Sequence, residues 1–333
     1  MQFQLPLNIK QPGIRINYRD KILLIGSCFT EHIGNVLQEL KYSILQNPNG
    51  ILFDPRSVCH SLITYIDNKQ YEEKDLFQLN EVWSSWEHHS RFSNVKIEKS
   101  LLDVNKSQKQ AHSFLKDCDW LIVTLGSSFS YRLTDISDSA GSSLNSGVAN
   151  CHRAPSQWFN KHLLSIDEIT AILDTTYHRL KQFNPKLKII FTISPVRHIR
   201  DGVVENNRSK ARLIEAVHYM TGKFPGIYYF PAYELVIDIL RDYRFYDVDM
   251  VHPNYPATEF VMEKFKENYI DEESQQIMEE IRKIVIARKH KPIFPETNAH
   301  KIFLKTHLDK AKELQSKFSF LDLKEEMDYF TAS

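Results

Sequence analysis

The sequence predicts an α/β protein built on a mostly parallel sheet covered by helices on both faces. Three observations carry this. The segments KILLIG (21–26), DWLIVTLG (119–126) and KLKIIFTISPV (186–196) are continuous apolar runs rather than alternating ones, as strands buried on both faces require. Stretches of helical period separate them. Each run also stops at a small or polar exit: Gly26-Ser27-Cys28, Gly126-Ser127-Ser128 and Ser194-Pro195. In open parallel sheets the ligand lies beyond the carboxyl ends of the strands, so these exits mark where a site belongs.

After the first strand, Ile33, Val36, Leu37 and Leu40 stand at i, i+3, i+4 and i+7, one face of a helix. YSILQNP (42–48) is a short strand ended by Asn-Pro and Asn-Gly turns. Val58, Leu62, Ile63 and Ile66 mark a helix within 56–67. The mixed, aromatic residues 69–106 are expected as hairpins or loops, and the Ser-, Gly- and Asp-rich residues 135–147 as a mobile excursion. Ser165 and Glu168 form a capping-box pattern before an amphipathic helix that runs to about 183 and is broken by Pro185. A helix across roughly 207–222, the segment GIYYFPAYE (226–234) and a helix after His252-Pro253 follow. Residues 270–290 form a charged helix with Ile270, Ile277, Ile281 and Ile284 on one face. A linker at 291–298 and a further Lys/Glu-rich helical stretch at 300–330 complete the chain. The predicted organisation is one α/β domain over 1–269 and a helical C-terminal extension over 270–333.

The 42 Lys+Arg residues balance 42 Asp+Glu, which gives no reason to expect nucleic acid or a membrane surface as partner. Hydrophobic content of 42% suits a soluble globular protein. No stretch approaches the ~20 apolar residues of a membrane span. The opening MQFQLPLNIK lacks a basic region followed by an apolar core, so no secretory leader is expected and the cytoplasm is the expected location. The four cysteines, Cys28, Cys59, Cys118 and Cys151, are spaced too widely for a zinc pattern and are expected as free thiols. Neither a metal nor a cofactor is expected.

Several segments can carry chemistry. Cys28 falls at the mouth of a helix, where unpaired N–H groups and the positive dipole end favour a thiolate. Taken alone, the segment reads more simply as a small residue filling a tight strand-to-helix turn. Asp249 and His252 stand three apart just before a helix, a spacing that lets a carboxylate orient an imidazole. A nucleophile early in the chain with Asp and His late is one of the orders that hydrolytic triads use. Arg197, His198, Asp201, Asn206, Ser209 and Lys210 crowd the third strand's exit, which points to binding as well as to a polar loop with a helix cap. In VANCHRAP (148–155), Asn150 offers a side-chain N–H to an oxyanion, while Cys151 and His152 lack the second pair a metal site needs. His88 and His89 are read first as loop histidines, with His89 able to line a pocket.

GSCFTEH (26–32) is similar to the GDSLTEG opening of GDSL/SGNH hydrolases, and Asp249-x-x-His252 to their closing block. More closely, the ordered set IGSCFTEHIG, NPNGILFDP, VTLGSSFSY, VANCHRAP, TISPVRHIRDG, NNRSKARL and LRDYRFYDVDMVHP resembles the GSCFA-domain proteins, a bacterial branch of that superfamily, over about residues 20–265. The resemblance implies a three-layer α/β/α, flavodoxin-like (SGNH hydrolase-like) fold and hydrolysis or transfer of an acyl group through a nucleophile–His–Asp site. It puts Cys28 at the superfamily's serine and Ser27 at its aspartate, so both are candidate nucleophiles, with His252 as base and Asp249 as its orienter. It implies Gly50 as the oxyanion glycine and sets Ser128 at the place of the oxyanion asparagine, with Asn150 as the alternative amide. His89, His152, Arg197, His198 and Lys210 are then expected at the substrate, an ester of a small molecule or saccharide. Arg197 and Lys210 would make the pocket locally basic and favour an anionic substrate. Competing readings are a non-catalytic ligand-binding domain of the same fold and an acyltransferase using Ser27.

Overall fold

The computed structural model describes residues 5–134 and 147–332, so the Ser-rich stretch expected as an excursion lies, apart from Gly147, outside the described residues. Strand β1 (Lys21–Gly26) is buried beyond its first residue and turns at Ser27 into α1 (Cys28–Glu39), which buries Phe29, Ile33 and Leu37. Strand β2 (Ser43–Gln46) follows, and then α2 (Pro55–Asp67). The Asp54 carboxylate caps α2 by accepting the Ser57 N–H at 3.1 Å, ahead of a proline whose missing N–H costs nothing there. A small antiparallel hairpin, β3 (Phe77–Leu79) and β4 (Val82–Ser84), leads to α3 (Ile97–Asp117).

This last helix corrects the expectation of hairpins and loops up to residue 106. Its buried stripe is Ser100, Val104, Gln108, Ala111 and Leu115, too polar for an apolar period to stand out. Strand β5 (Trp120–Leu125) is buried throughout, and β6 (Phe129–Leu133) pairs antiparallel with β7 (Phe159–Leu163). The reciprocal capping box of Ser165 and Glu168 opens α4 (Ile166–Phe183). Strand β8 (Lys188–Ile193) follows, then α5 (Val203–Lys223), which starts at Val203 rather than near 207. Strand β9 (Ile227–Phe230) leads through α6 (Ala232–Glu234) and a wide helical turn at Leu235–Leu240 to α7 (Tyr255–Tyr269). The chain closes with α8 (Glu272–Lys289), α9 (Asn298–Lys317) and α10 (Lys324–Ala332).

Five of these strands form one parallel sheet in the order β2-β1-β5-β8-β9. This is a doubly wound order whose direction reverses between β1 and β5, the switch point at which such sheets open a crevice. Alternate side chains divide the core into two. Ile22, Leu24, Trp120, Ile122 and Phe230 pack with α1 and α7 on one face. Leu23, Ile25, Leu121, Val123 and Phe191 pack with α2, α4 and α5 on the other. Helices α8, α9 and α10 extend the first core, adding Ile277, Ile281, Leu304, Leu314 and Phe330 to it. The fully buried Glu326 of α10 ties this layer to the end of α1, with the Lys41 ammonium 2.8 Å and the Arg288 guanidinium 3.5 Å from its carboxylate. No described helix is long and apolar enough to cross a membrane.

Gly26 ends β1 with φ +147°, and a Cβ there would stand 2.2 Å from the Thr124 carbonyl oxygen. Backbone strain and overpacking each typically cost about 1–3 kcal/mol. Gly26→Ala should therefore lower the unfolding free energy in urea by about 2–5 kcal/mol. A loss below about 1 kcal/mol would mean that β1 and β5 separate more easily than this packing implies.

Candidate active site

The turn from β1 into α1 is held from three sides. The Gly26 N–H donates to Asn47 Oδ1 at 2.9 Å, the Ser27 N–H to the Thr124 carbonyl at 3.2 Å, and the Leu52 N–H to the Gly26 carbonyl at 3.0 Å. Ser27 is the residue before the helix, and its buried Oγ has no hydrogen-bond partner among the described residues. Cys28 is the first helical residue and is half-buried, so of the two candidate nucleophiles it is the thiol that reaches the surface.

The thiol is not a preformed thiolate, contrary to the expectation from its helix N-terminus. Burial pushes it up, and Glu31 adds to that. The N–H groups of Phe29 and of Cys28 itself, together with Lys210, pull in the opposite direction without prevailing. The other free thiols are raised too, Cys59 and Cys118 to about 12 and Cys151 to about 11, in each case by burial. Cys28 therefore needs a base to remove its proton.

The exits of β5 and β8 close around this turn. The Phe53 carbonyl accepts the Gly126 N–H at 2.7 Å and the Ser127 N–H at 3.1 Å. A Cβ on Gly126 would meet Phe53 Cβ at 2.9 Å, His198 Nε2 at 3.1 Å and Ser27 Cβ at 3.5 Å. Glycine is thus required where the loop after β2, the Ser27-Cys28 turn and the β8 exit meet. His198 is fixed by its backbone N–H, which donates to Asn206 Oδ1 at 2.8 Å, and its ring leans on Phe53 with centroids 5.1 Å apart. Burial, then the neighbouring charges of Lys210 and His252, hold its imidazole down at about 4. His252 is therefore near enough to His198 for their charges to interact.

Asp249 and His252 form the pair their spacing suggests. Asp249 Oδ2 lies 2.6 Å from His252 Nδ1, while Oδ1 accepts the N–H groups of Val251 and His252 at 2.9 and 3.0 Å. These bonds, the His252 N–H first, hold the carboxyl down at about 2. The ionised carboxylate selects the tautomer with the proton on Nδ1 and leaves Nε2 as the basic face. The side chains of His252 and Asp249 are 49% and 46% exposed.

Two predicted substrate contacts have other partners. Lys210 is 1% exposed, and its Nζ donates to the carbonyls of Gly126 and Ser194, both at 2.6 Å. It joins the exits of β5 and β8. Arg197 forms no salt bridge with Asp201, which pairs with Lys161, or with Glu205, which binds Arg208 at 2.8 Å. Its Nη1 donates to the Met250 carbonyl at 3.0 Å, its N–H to the Val251 carbonyl at 3.2 Å, and its guanidinium lies 4.0 Å from the Tyr246 ring centroid. Arg197 therefore secures the loop that carries Asp249 and His252.

Two of the predicted oxyanion donors, Gly50 and Ser128, are engaged elsewhere. The Gly50 N–H donates to the Asn47 carbonyl at 2.7 Å, and a Cβ on Gly50 would meet His89 Cβ at 2.1 Å, so this glycine permits the close approach of His89. Ser128 is fully buried, with its Oγ donating to the Ser209 carbonyl at 3.1 Å and its N–H to Ser209 Oγ at 2.7 Å. Asn150 Oδ1 accepts the His152 N–H at 2.9 Å, and His152 Nε2 lies 2.8 Å from the Ser85 carbonyl with its ring edge-on to Phe77. Asn150 and His152 line a groove of about 380 Å³ with Ser84, Ser90 and Arg153. His89 uses Nδ1 to accept the Arg91 N–H at 3.3 Å. Among the described residues, no three His, Cys, Asp or Glu side chains are grouped to hold a metal ion.

Sequence reading missed the Phe53 carbonyl, Asn47 and Tyr246. Asn47 was legible only as a turn residue, and a backbone carbonyl leaves no trace in a sequence.

The fold and this edge define a parallel α/β protein with the Ser27-Cys28 turn at the sheet's switch point, an Asp249–His252 pair and a half-buried His198. Residues 21–265 match the GSCFA family, and residues 281–333 match the C-terminal domain of GSCFA domain proteins. The chain belongs to the GSCFA family. No curated protein matches it. Among solved structures it is similar to a carbohydrate esterase family 3 protein from Talaromyces cellulolyticus, at 10% identity over 79% of this chain and 99% of that one, with a TM-score of 0.37. It is also similar to an acetyl esterase mutant solved with acetate ion, at 10% identity over 80% of this chain and 99% of that one, with a TM-score of 0.35.

Burial holds the Lys210 amine down at about 7, whereas an unfolded lysine keeps its proton to about 10.4. Between these values the unfolded chain binds the extra proton, so this residue makes stability rise with pH. Urea unfolding at about pH 7 and about pH 9.5 should show a steeper rise for the wild type than for Lys210→Met. Equal slopes would mean that Lys210 is charged in the fold throughout.

Proposed function

We propose that this protein is an SGNH-like hydrolase of ester or acyl substrates, with Cys28 as nucleophile, His252 as general base and Asp249 orienting the base. The observation that carries this reading is the convergence at Gly126: Ser27 of the nucleophile turn and His198 flank the same point, and His198 in turn lies within electrostatic reach of the Asp249–His252 pair. The buried Ser27 Oγ favours the adjacent thiol as nucleophile over an acyltransferase that uses the serine.

In the proposed reaction, His252 Nε2 takes the thiol proton as Cys28 Sγ bonds to the ester carbonyl carbon, and the carbonyl π pair moves onto oxygen. The pair returns, the bond to the alcohol oxygen breaks, and His252 delivers its proton to the departing alkoxide. Water then attacks the thioester, again giving a proton to His252. Collapse releases the carboxylic acid and restores the thiol. Asp249, ionised at any pH above about 2, keeps the imidazole in one tautomer through both halves.

The anionic-substrate expectation rested on Arg197 and Lys210, and both cations are engaged by backbone carbonyls. The proposed substrate is accordingly a neutral ester of a small molecule or saccharide.

Iodoacetamide should alkylate Cys28 before Cys59, Cys118 and Cys151 and abolish turnover of a nitrophenyl ester, with the adduct located by mass spectrometry. A fluorophosphonate adduct on Ser27 would move the nucleophile to the hydroxyl. No adduct at either residue and no turnover would leave a ligand-binding domain. His252→Ala should lower kcat by roughly 10²–10⁴-fold while leaving the melting temperature unchanged, because its exposed side chain contributes little to the core. A fallen melting temperature with intact specific activity would make the histidine structural. Arg197→Ala, assayed in parallel on neutral and anionic esters, should lose activity equally on both through release of the Asp249–His252 loop. Selective loss on the anionic ester would restore a substrate-binding role.

A further inference from the structure

A tetrahedral intermediate at Cys28 places a negative charge on the former carbonyl oxygen, and preorganised donors are the usual means of holding it. The Cys28 and Phe29 N–H groups belong to the first turn of α1, where the helix offers no acceptor, and both are turned toward the Cys28 sulfur. They supply one side of an oxyanion site. Of the donors expected for the other side, Gly50 N–H and Ser128 Oγ already donate to Asn47 and Ser209, and Asn150 packs with its Oδ1 on the His152 N–H.

His198 has a nitrogen in the right place. Its Nε2 is buried and has no hydrogen-bond partner among the described residues. It stands 3.1 Å from the point where a Gly126 Cβ would be, and Ser27 Cβ stands 3.5 Å from the same point. Phe53 Cβ, 2.9 Å from that point, closes the third side, so the missing side chain of Gly126 is what lets Nε2 come this close to the Ser27-Cys28 turn. An unpartnered buried polar atom typically costs about 1–3 kcal/mol, so its retention calls for a partner that arrives later.

Resting on the hydrolase reading, we propose that His198 is a catalytic residue whose Nε2–H donates to the oxyanion formed at Cys28. The two histidines then divide the work by their neighbours. His252 has a carboxylate on Nδ1 and serves as the base. Among the described residues no carboxylate is paired with His198, and the nearby Asp201 is held by Lys161. Burial and the charges of Lys210 and His252 keep its ring neutral at ordinary pH, so it carries one N–H and does not compete for the thiol proton.

The test separates a step that forms an oxyanion from one that does not. Single-turnover acylation of Cys28 by p-nitrophenyl acetate, followed by nitrophenol release and the mass of the thioester, forms an oxyanion. Alkylation of the same thiol by iodoacetamide, a direct displacement, does not. His198→Ala should slow acylation by roughly 10²–10³-fold and leave the rate and pH dependence of alkylation unchanged. His198→Gln, which keeps an N–H at similar reach, should recover part of the loss. Acylation at the wild-type rate in His198→Ala, or a parallel loss of alkylation, would overturn the proposal. If His198→Ala does not fold, His198→Gln against His198→Leu decides it, and equal acylation by the two overturns it. A wild-type protein that is alkylated but never acylated would instead bring down the hydrolase reading, and this inference with it.

Discussion

One buried amine holds the working edge of the sheet together. Lys210 reaches up from α5 and donates to the last carbonyl regions of β5 and β8, at Gly126 and Ser194. Those carbonyls lie where the strands have stopped pairing, so without a donor they would be unsatisfied in a dry interior. Meeting both with one side chain fixes the spacing of the two exits. The space at Gly126, the setting of His198 and the path of the chain toward Arg197 follow from that spacing. The lysine stem also fills the space beneath the exits that a shorter donor would leave empty.

The loop that carries Asp249 and His252 is positioned by different means. It lies on the surface, and its strongest internal bonds are those of the Asp249 carboxylate with its own backbone and imidazole. Arg197 alone, among the contacts described for this loop, reaches it from the strand side, gripping two carbonyls' worth of backbone and stacking on Tyr246. A rigid interior half, with Cys28, Gly126 and His198, thus faces an exposed half that is pinned by one guanidinium. Under the hydrolase reading proposed above, such a division admits a substrate while keeping His252 in one tautomer.

Much of this was readable before the structure. The three inner strands announce themselves because burial on both faces demands unbroken apolar runs, and Asp249-x-x-His252 because a carboxylate and an imidazole at that spacing have few better uses. Helix α3 was hidden because Gln108 and Ser100 share its buried stripe with Val104 and Leu115, so no apolar period forms. The bonds of Arg197 and Lys210 could not be read in advance because their partners are backbone carbonyls, which every residue possesses and no sequence position advertises. The same holds for Gly50 and Ser128, whose donors are engaged by Asn47 and by Ser209 in tertiary contacts. The distinct positions of His198 and His252 likewise depend on packing, since burial and neighbouring charge separate two imidazoles that look alike in a sequence.

The pairing of Glu326 with Lys41 and Arg288 has a bearing on biosynthesis. A fully buried carboxylate is tolerable only beside its cations, and Lys41 waits at the end of the helix that begins with Cys28. A nascent chain emerging from the ribosome can pair β1, β5 and β8 long before residue 326 has been made. Until α10 arrives, Lys41 and Arg288 lack this partner, and the faces of α8 and α9 that α10 covers stay open to chaperones or to neighbouring chains. Closure of this ion cluster, one residue beyond the C-cap of the helix that begins with Cys28, is therefore a late event in the life of each molecule.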